Sequence, residues 1–168
     1  MAATRLTGKR VVLRSSTRAD TDALYAIASE PVVTEWWGEP SRAALEAELS
    51  GDEPELVSLV IEVEGQIAGA IQFHEELEPD FKHAGIDLFL GSAWHGQGLG
   101  TEAISLLVDY LCDERGHHRL TIDPAADNAR AIRSYEKAGF RPVGVMRRYQ
   151  HLRGAWRDGL LMELVRNE

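Results

Sequence analysis

A chain of 168 residues, 44% apolar and 27% charged, has the length and composition of one globular domain with a sizeable core. Its single cysteine, Cys112, excludes an internal disulfide and a cysteine-rich metal site. No apolar run reaches membrane-spanning length and residues 1–10 lack the apolar centre of a signal peptide, so the expected compartment is the cytoplasm, with no membrane partner. The net charge of −9 is uneven: residues 1–129 hold 23 acids and 9 bases, residues 130–168 hold 4 acids and 9 bases. An acidic front argues against nucleic acid and suits a cationic partner, while a basic rear suits an anionic cofactor; surface solubility alone is the competing explanation.

In chain order, Val11 and Leu13 alternate with polar neighbours and predict a first strand at 10–14. Residues 17–30 read as a helix with an apolar stripe of Ala19, Leu24, Ile27 and Ala28, acids Asp20 and Asp22 near its start, and Pro31 as its stop. Trp36 and Trp37 then stand side by side before Gly38. Adjacent side chains cannot both face one core, so one is expected in the core and the other exposed or lining a cleft. Residues 40–49 predict a second helix, followed by an acid-rich loop. Strands at 56–62 and 67–73 are joined by Glu64-Gly65, a hairpin signature. Residues 74–80 put Glu75, Glu76, Glu78 and Asp80 in one short loop, either a solvated charge run or the rim of a cation site.

The next strand, 85–90, carries Asp87 among apolar neighbours; an acid there must face a cleft or a partner such as Arg119. A helix at 101–112 turns Ile104, Leu107, Val108 and Leu111 inward, with Cys112 as an inert thiol on the same side. After a short strand at 120–122, Asp127-Asn128 caps a helix with Ala131, Ile132, Tyr135 and Ala138 on one face and Gly139 at its end. Residues 143–152 and 160–165 form a last hairpin around Gly154. The order β-αα-ββ-β-α-β-α-ββ describes a single domain over 1–168, of mixed α/β or α+β class. His74, His83, His95, His117 and His118 have no metal-ligand spacing, and His117-His118 reads as turn and edge structure.

Residues 87–100 read Asp-Leu-Phe-Leu-Gly-Ser-Ala-Trp-His-Gly-Gln-Gly-Leu-Gly, a strand running through Gly96, Gly98 and Gly100 into a helix start. Glycines admit a ligand close to the backbone, and the first N–H groups of the helix point at it, which is the physics of an anion site. The pattern is neither GxGxxG nor GxxxxGK[ST]. It resembles the acyl-CoA loop of the GCN5-related N-acetyltransferases, [RQ]-x-x-G-x-[GA], with Gly98-Leu99-Gly100 supplying the glycines and His95 standing where the family has Arg or Gln. The run from Asp123 to Phe140 matches the second signature of that family, N-x-x-A-x-x-x-Y-x-x-x-G-F, at every defined position. Glu35-Trp36-Trp37-Gly38, Gly85-Ile86-Asp87 and Gly98-Leu99-Gly100-Thr101 further resemble the aminoglycoside 6'-N-acetyltransferases.

That resemblance implies a central, mostly antiparallel mixed sheet flanked by about four helices, with two strands splayed at the acyl-CoA site. It implies acetyl-CoA as cofactor, with coenzyme A as product, and a polycationic amine, above all an aminoglycoside, as partner. Backbone N–H groups near Phe89 and Leu90 would face the thioester. His95, Gln97, Gly98, Leu99, Gly100 and Thr101 would form the pyrophosphate loop, Asn128 would meet the pantetheine arm, and Arg130 or Arg133 the phosphates. Tyr135 would protonate the coenzyme sulfur, and Asp87 would serve as base or anchor for the amine. Trp36, Trp37, Glu75, Glu76 and Asp87 would hold the cationic acceptor. No nucleophile for an acetyl-enzyme is evident, so direct transfer in a ternary complex is expected. The rival readings are acetylation of a ribosomal-protein N-terminus and a coenzyme-binding sensor without catalysis. Monomer and homodimer both remain open, the last hairpin being a candidate pairing surface.

Overall fold

In a computed structural model, which describes residues 3–52 and 55–167, eight strands form one sheet. The strands are β1 (Arg5–Thr7), β2 (Val11–Ser15), β3 (Leu56–Val63), β4 (Gln66–Glu76), β5 (His83–Leu90), β6 (Arg119–Ile122), β7 (Arg141–Leu152) and β8 (Ala155–Val165). The helices are α1 (Thr21–Ala28), α2 (Pro31–Trp37), α3 (Arg42–Leu49), α4 (Leu99–Asp109) and α5 (Ala129–Lys137). The sheet order is β1-β2-β3-β4-β5-β6-β8-β7. Every neighbouring pair is antiparallel except β5 and β6, which run parallel and share only Ala84↔Leu120 and Gly85↔Thr121. Beyond Gly85 the two strands have no common ladder, and the sheet opens there.

Two helical layers cover the sheet because its strands are apolar on both faces. Ile104, Leu107, Val108 and Leu111 are buried as their spacing predicts, packed with Leu13, Ile61, Ile71, Phe73, Leu120 and Phe140. Leu24, Leu45 and Leu49 of α1 and α3 cover Val60 and Ala70 on the other face. Gly139 adopts φ 104, the left-handed conformation that ends α5.

The N-terminal third departs from the sequence reading. Short β1 pairs with β2 and was not visible in the alternation. The helix expected over 17–30 begins at Thr21 after a 3-10 turn at Arg18–Asp20, and Ala19 is exposed. Asp20 turns inward instead, accepting from Arg14 Nη2 at 2.8 Å, Arg14 Nη1 at 3.0 Å and the Thr17 N–H at 2.8 Å. Pro31 is the first residue of α2, where its missing N–H has no helical acceptor to lose. Among the described residues five α-helices therefore flank the sheet, in keeping with the four or so expected. The second predicted helix begins at Arg42, with Ser41 Oγ accepting from the Ala44 N–H. Residues 53 and 54 of the acid-rich loop lie outside the described residues.

Residues 74–76, expected in a loop, extend β4. Glu75 pairs with Ala84 of β5, on the face that packs α4, and accepts from Arg115 Nη2 at 2.5 Å and His117 Nε2 at 2.6 Å. His117 is thus fully enclosed, not edge structure. The fold generates one direct test. Leu107 is 0% exposed at the centre of the larger core, so Leu107→Ala is expected to lower unfolding stability by about 3 kcal/mol, read from the shift in urea midpoint at unchanged m-value.

Candidate active site

The opening between β5 and β6 collects side chains from both faces of the sheet. Gln72 lies opposite Asp87 in the β4–β5 ladder, so Asp87 shares the α1–α3 face. Alternation from Gly85↔Thr121 puts Asp123, one residue past β6, on that same face. Tyr135 approaches from the opposite layer, 8% exposed on α5. Burial, then the Asp123 carboxylate, push the Asp87 carboxyl up to about 7, against the stabilising Leu88 N–H at 3.0 Å. Burial first, and then Asp87 and Asp123, hold the Tyr135 hydroxyl in its protonated form. The Tyr135 hydroxyl has no hydrogen-bond partner among the described residues, and it is not one of their sealed atoms, of which His117 Nδ1 is the single unpartnered case. Arg119 is engaged by Glu163 Oε2 at 3.0 Å, and Asp87 has no ion-pair partner among the described residues.

Backbone direction separates two neighbouring residues. The Gly91 N–H donates to the Ala68 carbonyl at 2.8 Å, and a Cβ on Gly69 would come within 2.0 Å of the Phe89 carbonyl oxygen. Phe89 therefore points its backbone at β4, and by alternation the Leu90 N–H faces the opening. Of the two expected thioester donors, Leu90 alone has that direction. Phe89 contributes its ring instead, edge-on to Trp37 at 5.3 Å between centroids.

Residues 91–98 connect this opening to α4. Gly98 is left-handed at φ 75, and no side chain caps the helix start, so the first-turn N–H groups of Leu99, Gly100 and Thr101 are free for an anion. These features fit the phosphates of an acyl-CoA. Other loop side chains have internal roles. Gln97 accepts from Arg10 at 3.2 Å and donates to the Ala93 carbonyl at 3.1 Å, so its amide is committed away from a phosphate. Thr101 Oγ1 donates to the Ser134 carbonyl, joining α4 to α5. Arg130 Nη1 donates to His95 Nδ1 at 2.5 Å, and His95 Nε2 meets the Leu90 carbonyl at 2.9 Å. Asn128 Oδ1 caps α5 on the Ala131 N–H, leaving its amide N–H groups for a ligand.

A cavity of about 120 Å³ between α2, α3 and the sheet is bordered by Trp37, Ser58, Gln72 and Phe89. An open depression of about 290 Å³ beside β1 and α4 contains none of these groups. Neither tryptophan is in the core, contrary to expectation, because α2 lies across the cleft mouth. Trp37 is 36% exposed, and Trp36 is covered by the Arg157 guanidinium at 4.9 Å. Glu75 lies on the opposite face of the sheet from Asp87 and is ion-paired with Arg115 and His117. Glu76 is exposed on the near face, but about 13 Å along β4 from Gln72. Three contributors were not picked out beforehand: Asp123, Tyr149 and Arg157. Tyr149 donates to Asp123 Oδ2 at 2.7 Å. The Asp-Pro end of β6 was the available signal for the first, and nothing in the local pattern marked the other two.

The family profile described as an acetyltransferase (GNAT) domain matches residues 10–141. The aminoglycoside N(6')-acetyltransferase type 1 of Klebsiella pneumoniae is 31% identical over 155 residues, covering 81% of this chain and 76% of that protein. A probable N-acetyltransferase of Bacillus subtilis is 30% identical over 100 residues, 60% of this chain and 55% of that one, so the chain spans little more than half that relative's length. The structure of AAC(6')-Ib in complex with paromomycin and acetyl-CoA superposes with a TM-score of 0.79 at 26% identity, over 94% of each chain.

The Asp87 environment makes a stability prediction. A carboxyl whose folded value is raised binds more protons in the native state, so ionising it opposes folding above about 7 and ceases to matter as pH falls toward the unfolded value. Asp87→Asn is expected to stabilise the free protein at pH 8 by on the order of 1 kcal/mol, allowing for solvent screening of a half-buried group, with the gain shrinking from pH 7 to pH 4. Urea midpoints at pH 8, 6 and 4 check the size and direction.

Proposed function

The chain belongs to the GNAT acetyltransferase family, and on that premise we propose that it moves the acetyl group of acetyl-CoA onto a primary amine of a polycationic small molecule, the 6'-amine of an aminoglycoside being the acceptor its features favour. One observation carries this reading. Asp87, poised at about 7, and Tyr135, held protonated in part by the charge of Asp87, share one opening in the sheet. Burial raises both, which leaves the carboxyl able to take up a proton near neutral pH and the phenol carrying one, the complementary states of a base and an acid.

Asp87 accepts a proton from the bound ammonium, directly or through water, and holds the amine in line. The Leu90 N–H donates to the thioester oxygen as charge develops there. Tyr135 hands its hydroxyl proton to the departing thiolate and is reprotonated, through water, by the proton that the attacking nitrogen sheds as it becomes an amide. Cys112 takes no part: it packs on the α4 side of the core, and burial pushes its thiol up. The amine therefore attacks the thioester directly, with both substrates bound. Trp37 and Phe89 offer aromatic faces to sugar rings and ammonium groups, and the uncompensated carboxylates Asp87 and Asp123 favour a cation. The 31% identity to an aminoglycoside N(6')-acetyltransferase supports the same substrate class.

The test is release of coenzyme thiol from acetyl-CoA with kanamycin, which carries a 6'-amine, compared with paromomycin, an aminoglycoside that carries a 6'-hydroxyl instead. Turnover on kanamycin alone is expected, with the rate rising as pH passes through about 7. Tyr135→Phe is expected to lower kcat by about 100-fold with little change in the acceptor KM. Turnover on peptide amines and none on aminoglycosides would reject the acceptor class.

A further inference from the structure

The border of the opening includes a device that lies outside both acetyltransferase signatures. Between Met146↔Gly159 and Gln150↔Arg157, three residues of β7 face one of β8. Such a bulge re-aims a side chain. Arg148 is forced to φ 51, a strained value for a non-glycine residue, and its N–H donates to Asp158 Oδ1 at 2.8 Å. The Tyr149 ring then lies over Gly159, where a Cβ would come within 2.9 Å of its Cδ2. The loop carrying Asp123 is stitched to the same stretch of β8: the Leu160 N–H donates to the Pro124 carbonyl at 2.8 Å and the Ala126 N–H to the Asp158 carbonyl at 2.9 Å. All of this geometry brings the Tyr149 hydroxyl to Asp123 Oδ2 at 2.7 Å. Asp123 Oδ1 has no protein partner among the described residues.

We propose that Tyr149 is a positioning residue for the acceptor: by holding one oxygen of Asp123 it aims the other into the opening beside Asp87, as a second anchor for a cationic nitrogen. The inference rests on the assignment of Asp87 and Tyr135 to the reacting site. Tyr149 is not a spare acid, because its bond to Asp123, and then burial, push its hydroxyl up to about 12. The charged groups that bear on it are Asp123 after β6 and Asp87 on β5, the same two carboxylates that bear on Tyr135 of α5; Arg147 and Arg148 precede it on β7, and Arg157 and Asp158 lie across the ladder on β8. Arg157 is turned away, toward Trp36, the Glu35 carbonyl and Asp127.

Tyr149→Phe tests the idea, since it keeps the ring over Gly159 and removes only the hydroxyl. Carboxyl-carbon NMR of the Asp87 titration, with no acceptor present, is expected to move upward by about half a pH unit, because the hydroxyl no longer offsets the charge of Asp123. With a turned-over amine, the acceptor KM is expected to rise about five-fold while the acetyl-CoA KM holds. In an Asp123→Asn background, Tyr149→Phe should change neither quantity further. An unmoved Asp87 titration, or an effect that persists undiminished in Asp123→Asn, overturns the proposal. The NMR arm needs no acceptor, so it decides the role of Tyr149 even if aminoglycosides prove not to be substrates.

Discussion

The parting of β5 from β6 is the constraint on which the rest of this molecule depends. Two parallel strands share two residue pairs and then separate, which leaves backbone groups without a ladder in the middle of an otherwise continuous sheet. Exposed backbone at such a depth needs partners. Here the Leu90 carbonyl is met by His95, while the Leu90 N–H is left facing the opening. The same parting lets a tyrosine from one helical layer meet carboxylates from the other. In a closed sheet Asp87 and Tyr135 would be separated by the sheet itself.

The charge asymmetry of the chain acquires a local meaning in this setting. Much of the basic rear is consumed internally: Arg157 covers Trp36 and bonds the Glu35 carbonyl at 2.9 Å, and Arg153 reaches Thr34 Oγ1 at 3.1 Å. These contacts fasten the β7–β8 hairpin to α2, which borders the cleft lined by Trp37 and Phe89. Acids elsewhere are neutralised in the same way, Asp20 by Arg14 and Glu75 by Arg115 and His117. Among the described residues, no cation pairs with Asp87 or Asp123 at the opening. Net charge counts side chains, whereas a cationic acceptor responds to those the fold leaves unpaired.

Much of the fold was legible in the sequence because its signals are local. The inward stripe of α4, the Asn128 cap of α5, the Glu64-Gly65 hairpin and the helix end at Gly139 each follow from the periodicity or backbone chemistry of a few adjacent residues. The errors fell where a tertiary partner overrode a local preference. Asp20 looked like a helix-start acid and is instead the buried partner of Arg14. Pro31 looked like a stop and serves as a start. Residues 74–76 looked like a charged loop, but Glu75 could continue the strand inward because Arg115 and His117 were waiting for it, 40 and 42 residues away.

The sequence by itself determined the family, the glycine loop and the identities of Asp87 and Tyr135, because those depend on residue type at short, fixed spacing. It determined neither their environment nor their company. Only the tertiary structure decided that Leu90 and not Phe89 turns its N–H to the opening, that neither tryptophan enters the core, and that Glu75 belongs to the opposite face. Only it brought Tyr149, by way of a bulge and a bare Gly159, to Asp123 across 26 residues of chain. The physical reason is common to all of these. Strand register and pairing direction assign each side chain to a face and each backbone group to an edge, and both are properties of two strands together.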